Sequence, residues 1–286
     1  MGKLRGQVID GASNPGVLKS APGGAGLNTA RVASKLGVGT SICGPVGDDV
    51  EQHVLRNLLK AENIQDGLVT VKGRQTGSYV SIIGADGELI IGFNDLALNE
   101  EMSAQWVLEK CSAPLNSADQ WFITANLSRS AVRELVEYAT VPIIAATVSQ
   151  SKAIRFRGVL DKIEVMFTNA KEAQSLLGRT DGGSVELAGV LVERGIKSGV
   201  ITDGANPLVY WIDGSVGELA VPQVGQVVDV TGAGDALAGA VIAGLDRGLS
   251  FVDAVGVGIK AAGKTIGTDK PVLEEMSWAL LDDLES

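Results

Sequence analysis

The amino-acid sequence predicts an α/β fold: one domain with a mainly parallel central sheet, helices on both of its faces and a small β lid. Three observations predict it. From about residue 120 onward, short apolar runs alternate with amphipathic stretches, as in strands joined by helical crossovers. Residues 78–83 and 88–93 are instead two β-type runs joined by Gly84-Ala85-Asp86-Gly87, a hairpin signal. The 286 residues, 45% of them hydrophobic, are enough to fill one large core without a second domain.

In chain order, residues 29–36 read as a helix after a glycine-rich stretch. Residues 49–62 read as another, with Val54, Leu55, Leu58 and Leu59 as its buried stripe and His53 on the surface. Within residues 67–98 the hairpin most simply stands off the main sheet and covers a site as a lid; the alternative is an antiparallel extension of the sheet edge. Beyond it come strand 120–124, helix 130–139, strand 142–146, helix 151–160 and strand 164–168. Helices 170–177 and 184–194, strand 199–202 and helices 233–247 and 251–266 complete the series over residues 1–286.

Composition excludes several classes of function. Lys and Arg number 24 against 34 Asp and Glu, a net charge of −10, so no basic field attracts nucleic acid. His53 is the single histidine and reads as a surface residue, which argues against His-based triads and His-rich metal sites. Cys43 and Cys111 lie far apart with no CxxC pair, and are expected to be buried thiols of a reducing cytosol. No stretch reaches the roughly 18 apolar residues of a membrane span, and the N-terminus lacks an apolar signal core, so a cytoplasmic chain is expected.

The strongest local signal is Asp229-Val230-Thr231-Gly232-Ala233-Gly234-Asp235, a glycine-rich turn opening a long helix of small residues. Successive amides at such a helix start, those of Gly232, Ala233 and Gly234, form an anion hole, and the helix dipole favours charge building there. A carboxylate beside that hole would repel a resting phosphate unless it has a separate task, and taking a proton from an attacking hydroxyl is such a task. On residue type alone, Asp235 serves equally well as a helix cap. Similarly, Asn169 and Glu172 read first as a capping box, the asparagine as N-cap and the glutamate three residues on. The turn is neither a Walker A loop nor a dinucleotide fingerprint.

These residues resemble a known family. Residues 229–235 look like the C-terminal signature of the PfkB, or ribokinase-like, carbohydrate and nucleoside kinases. Gly23-Gly24-Ala25-Gly26-Leu27-Asn28, with Gly44-Pro45-Val46-Gly47-Asp48-Asp49 after it, looks like the N-terminal signature. The resemblance implies a ribokinase-like three-layer α/β/α sandwich and an ATP-dependent phosphotransferase using Mg²⁺ and, in many members, K⁺. By position it makes Asp235 the base and places Gly23, Gly24 and Asn28 on the acceptor. Asn169 and Glu172 become the pair that positions magnesium and phosphate, largely through water. Thr202 and Gly204 open a Thr-x-Gly-x-x-Gly nucleotide motif whose last glycine is Pro207 here, which fixes φ and removes an N–H. Asp229 matches a position that shares in a monovalent-cation site.

Within the family, Ser13-Asn14-Pro15-Gly16, Thr76-Gly77-Ser78-Tyr79 and Gly87-Glu88-Leu89 with Phe93-Asn94-Asp95 look like the pseudouridine kinase branch. Ser78, Asn94 and Asp95 would then read a base-like substituent from the lid. Taken singly, these segments are also ordinary turns and hairpin ends. Ribokinase, fructokinase and adenosine kinase types are the alternative acceptor classes. Two departures stand out: the chain begins just after the place of the family's first strand and its substrate Asp, with Asp10 no substitute, and Ala145-Ala146 stands where relatives often carry an Asp. These departures motivate a non-catalytic binding relative as a further alternative; a dinucleotide-dependent dehydrogenase fits the alternation but lacks the fingerprint. An exposed lid hairpin could pair with its twin in a homodimer.

Overall fold

A computed structural model describes residues 2–84, 89–223, 225 and 227–282. Strands β1 (Gly2–Leu4) and β2 (Gly16–Leu18) precede helix α1 (Ala25–Lys35), β3 (Ser41–Gly47), α2 (Val50–Ala61) and β4 (Gln65–Val71). The hairpin β5 (Ser78–Ile83) and β6 (Leu89–Asp95) leads into three short helices, α3 (Ala97–Glu100), α4 (Ala104–Lys110) and α5 (Ser112–Ser117). Alternation follows: β7 (Trp121–Thr124), α6 (Arg129–Tyr138), β8 (Ile143–Ala146), α7 (Gln150–Ala153), β9 (Val165–Asn169), α8 (Ala170–Leu177), α9 (Ser184–Glu193) and β10 (Ser198–Thr202). Strands β11 (Leu208–Ile212) and β12 (Ser215–Leu219) come before the long helices α10 (Ala233–Asp246) and α11 (Phe251–Ile266) and the short α12 (Trp278–Asp282).

Six strands form the central sheet, in the order β12-β11-β10-β9-β8-β7. The four from β7 to β10 run parallel. Alternation along them explains the layers, because successive side chains point to opposite faces. Ile143, Ala145 and Met166 pack with Val132 and Leu135 of α6 and Leu187 and Leu191 of α9. Ile144, Val165 and Phe167 pack with Leu237 and Val241 of α10 and Phe251 and Ala254 of α11. Strands apolar on both faces need cover on both, and the result is the expected three-layer sandwich. Among the described residues no helix is long and apolar enough to cross a membrane.

The lid is a second sheet, ordered β2-β1-β5-β6. Its composition differs from the expected span of 67–98: residues 65–71 pair in parallel with β3 instead, while β1 pairs in parallel with β5 and antiparallel with β2. The hairpin runs Ser78↔Asp95 to Ile83↔Leu89, and its link at 85–88, including Gly87 and Glu88, lies outside the described residues. Strands β3 and β4 make a two-stranded sheet of their own, and among the described residues neither pairs with β7. Helix α1 spans both edges: a Cβ added at Gly26 would sit 3.8 Å from Ile42 of β3 and 3.8 Å from Thr124 of β7.

Other differences have local causes. Residues 151–160 do not form one helix: α7 gives way to short 3₁₀ turns at Ile154–Phe156 and Leu160–Lys162, with Gly158 at φ 94° between them. In α2, Val54 is 49% exposed, while Leu59 is buried and Gln52 takes a core-side place by accepting from Thr70 Oγ1 at 2.7 Å. His53 is exposed. Cys43 is half-buried and Cys111 buried. The Cys111 thiol, together with burial, raises Cys43 far above the ordinary cysteine range.

Candidate active site

Helix α10 begins where the chain can only be glycine. Gly232 caps it at φ 83°, and a Cβ there would lie 2.3 Å from the carbonyl oxygen of Pro271. The turn consumes some amides and leaves others. Thr231 N donates to Asp229 Oδ1 at 2.8 Å, and Ala233 N donates to Val230 O at 3.3 Å. The amides of Gly232, Gly234 and Asp235 have no partner among the described residues. Of the three amides expected to form an anion hole, those of Gly232 and Gly234 are therefore unengaged and that of Ala233 is taken by the turn, while the Asp235 amide is a further unengaged one. Asp229 spends one carboxylate oxygen on this turn.

Asp235 is held from a distant helix. Asn28 Nδ2, on α1, donates to Asp235 Oδ2 at 2.8 Å. Burial pushes the Asp235 carboxyl up to about 6; the Asn28 bond opposes that shift and the charge of Glu172 adds to it. Asn28 is itself only 4% exposed, and its Oδ1 is buried without a partner among the described residues. Thr29, the next residue, also has a buried Oγ1 with no partner among them.

Glu172 faces the same space. The capping box forms, with Glu172 N donating to Asn169 Oδ1 at 2.9 Å and Asn169 N donating to Glu172 Oε2 at 3.4 Å. Capping does not exclude a second role, because Asn169 and Glu172 also line a cavity of about 160 Å³ together with Thr202, Gly234 and Asp235. Thr29, Ala146, Val148 and Thr168 also line it, beside apolar residues that include Phe122 and Phe167. Thr29 and Val148 were not singled out in the sequence; the signal for Thr29 is its place beside Asn28 at the start of α1.

The remaining candidates lie elsewhere. Gly23 and Gly24 are exposed at the start of α1, with Gly24 at φ 105° as its cap. Gly204 is exposed in the loop after β10, at φ 60°, and Asn206 N closes that loop on Asp203 O at 3.0 Å just before Pro207. Ser78, Asn94 and Asp95 are exposed on the lid and do not line the cavity. Ser78 stands opposite Asp95, and Tyr79 opposite Asn94, so the three form one end of the hairpin.

Comparison with known proteins decides the family. Residues 10–273 match the pfkB family carbohydrate kinase model. The chain belongs to the PfkB family. This PfkB kinase is 28% identical to a pseudouridine kinase of Escherichia coli K12 over 249 residues, 85% of this chain and 79% of that protein. It is 27% identical to a 1-phosphofructokinase of Haloferax volcanii over 266 residues, 89% of this chain and 83% of that protein. Among solved structures, a carbohydrate kinase from Agrobacterium tumefaciens superposes with a TM-score of 0.84 at 29% identity, covering 99% of this chain and 92% of that one. A ribokinase from Thermotoga maritima shares the fold alone, with a TM-score of 0.81 at 17% identity over 98% of this chain and 93% of that one. A sugar or nucleoside phosphotransferase follows from the family, and the dehydrogenase alternative falls away.

Proposed function

We propose that this kinase moves the γ-phosphate of ATP onto the primary hydroxyl of a ribonucleoside, with pseudouridine as acceptor. The observation that carries the reading is Asp235. A carboxyl raised to about 6 stands at a helix start whose Gly232 and Gly234 amides are unengaged, with Glu172 in the same cavity.

The chemistry follows from those positions. Asp235, ionised above its raised pKa, accepts the proton of the attacking hydroxyl as that oxygen bonds to the γ-phosphorus and the bond from the γ-phosphorus to the departing ADP breaks. The free amides of Gly232 and Gly234, with the dipole of α10, receive the charge on the transferring group. The Asn28 amide keeps the Asp235 carboxylate pointed at the acceptor, and Asn28 Oδ1 offers a second contact to a hydroxyl.

The residues also fit a magnesium ion. Glu172 Oε1 has no protein partner among the described residues, and no described cluster of three acidic, His or Cys side chains would form a protein cage. One carboxylate beside a phosphate site is the arrangement that a hydrated Mg²⁺ favours. When bound, the ion neutralises phosphate oxygens. Asp229 is the residue we assign to K⁺, and Thr202 and Gly204 to the nucleotide. Pseudouridine as acceptor is supported by the lid residues Ser78, Asn94 and Asp95 and by the E. coli relative. The lid exposes Leu18 at 86% and Phe93 at 69%, which a second copy of the chain would cover in a homodimer.

The test is ATP consumption with Mg²⁺ and K⁺ across pseudouridine, uridine, adenosine, ribose and fructose, with Asp235→Asn as blank. Turnover on pseudouridine that vanishes in the variant supports the reading. Faster turnover on ribose or fructose reassigns the acceptor while keeping the class.

A further inference from the structure

Thr147 follows β8 and is fully buried. Its hydroxyl donates to Glu172 Oε2 and lies 2.9 Å from Thr168 Oγ1. That carboxylate oxygen is thus engaged by both Thr147 and the Asn169 amide, whereas Oε1 has no protein partner among the described residues.

The backbone beside Thr147 is unusual. Val148 adopts φ 57°, inside a three-residue turn closed by Ser149 N donating to Thr147 O at 2.7 Å. A β-branched residue in the left-handed region is strained, and such strain persists only where the surroundings impose it. Here the turn ends β8 abruptly. It puts Val148 in the wall of the Asp235 cavity and keeps Thr147 beneath Glu172.

We propose that Thr147 is a positioning residue for phosphoryl transfer: its hydroxyl locks one oxygen of Glu172 so that the other is presented to the cation and phosphates. The proposal rests on the phosphotransfer reading above. A Thr serving only to satisfy a buried acceptor would affect stability alone; a Thr that aims the carboxylate sets how well the site holds a divalent cation.

The experiment compares the full-length wild type with Thr147→Val, Thr147→Ser and Glu172→Gln, and with Thr147→Ala should the valine variant not fold. Mn²⁺ binding in the presence of ADP is measured by electron paramagnetic resonance, alongside the Mg²⁺ concentration giving half-maximal turnover. We expect Thr147→Val to weaken Mn²⁺ binding by about tenfold or more, the range for an outer-shell partner of a metal ligand, and Thr147→Ser to restore it. Wild-type Mn²⁺ affinity and Mg²⁺ dependence in Thr147→Val, with Glu172→Gln impaired, overturn the proposal and leave the role of Glu172 standing. Unchanged Mn²⁺ binding in both variants overturns both. A wild type that phosphorylates no acceptor refutes the proposed function, and the Mn²⁺ comparison still decides the role of Thr147.

Discussion

Asn28 and Asp235, 207 positions apart in sequence, are joined by a 2.8 Å hydrogen bond between α1 and α10. The proposed base is therefore held by the N-terminal signature and carried by the C-terminal one. Replacing Asp235 by Asn removes the proton acceptor and little else. Steady-state kinetics should show kcat lowered by at least about 10²-fold with the KM for ATP nearly unchanged.

The pH profile of kcat/KM should show the same group. The carboxyl is raised, so the active, ionised form is present above about 6 and lost below it. The rate should level off above that pH and fall tenfold per unit beneath it. Asn28→Ala removes the bond that favours the ionised form, so its acid limb should move to higher pH. An unmoved limb in Asn28→Ala would show that this bond does not tune the base.

Stability should run against activity at this position. A carboxyl raised by burial contributes most to folding below its unfolded value of 3.8, and that contribution is lost as pH rises through about 6. At pH 8 the ionised Asp235 costs on the order of 2 kcal/mol, after allowing for its partial exposure. Asp235→Asn should raise Tm at pH 8, and the gain should disappear near pH 4.

The contact that brings Asn28 to Asp235 depends on Gly239. A Cβ there would lie 2.7 Å from both Thr29 O and Val32 Cβ, so Gly239→Ala must push α1 and α10 apart. Denaturant titration should show a loss of about 1–3 kcal/mol. Turnover should fall more than stability alone explains, because the Asn28 bond is stretched.

The lid assignment has its own test. Asn94→Ala should raise the KM for pseudouridine by roughly fivefold or more while leaving the KM for ATP alone, as for a group that contacts only the acceptor. Equal shifts in both constants would place Asn94 outside the acceptor site.

Much of this was legible in the sequence, and the omissions have physical reasons. Helix 170–177 and helix 251–266 match their observed bounds because each has a strong start: the Asn169–Glu172 box in one, and in the other Ser250, which accepts from Asp253 N at 3.2 Å. The hairpin β11–β12 does carry a local signal, since Asp213 at φ 48° and Gly214 at φ 81° form the two-residue Asp-Gly turn that favours one. Strand β4 pairs outside the lid, which local pattern cannot show because it does not reveal the partner a strand chooses; β3 supplies seven paired positions from Ser41↔Gln65 to Gly47↔Val71. The family resemblance points to Asp235 and Glu172, which line one cavity, but the Thr147 contact crosses from β8 to α8 and has no local signal.

Strands β3 and β4 share no ladder with the six-stranded sheet; α1 and side-chain packing hold the two together. Backbone ladders make strands open as one body, whereas packed layers can part at lower cost. Amide protons of β3 and β4 should therefore exchange through a partial opening that leaves those of β8 and β9 protected. An acceptor held by Asn28 on one side and Asp235 on the other would rivet the two units, so its largest effect on exchange would fall on strands it never touches.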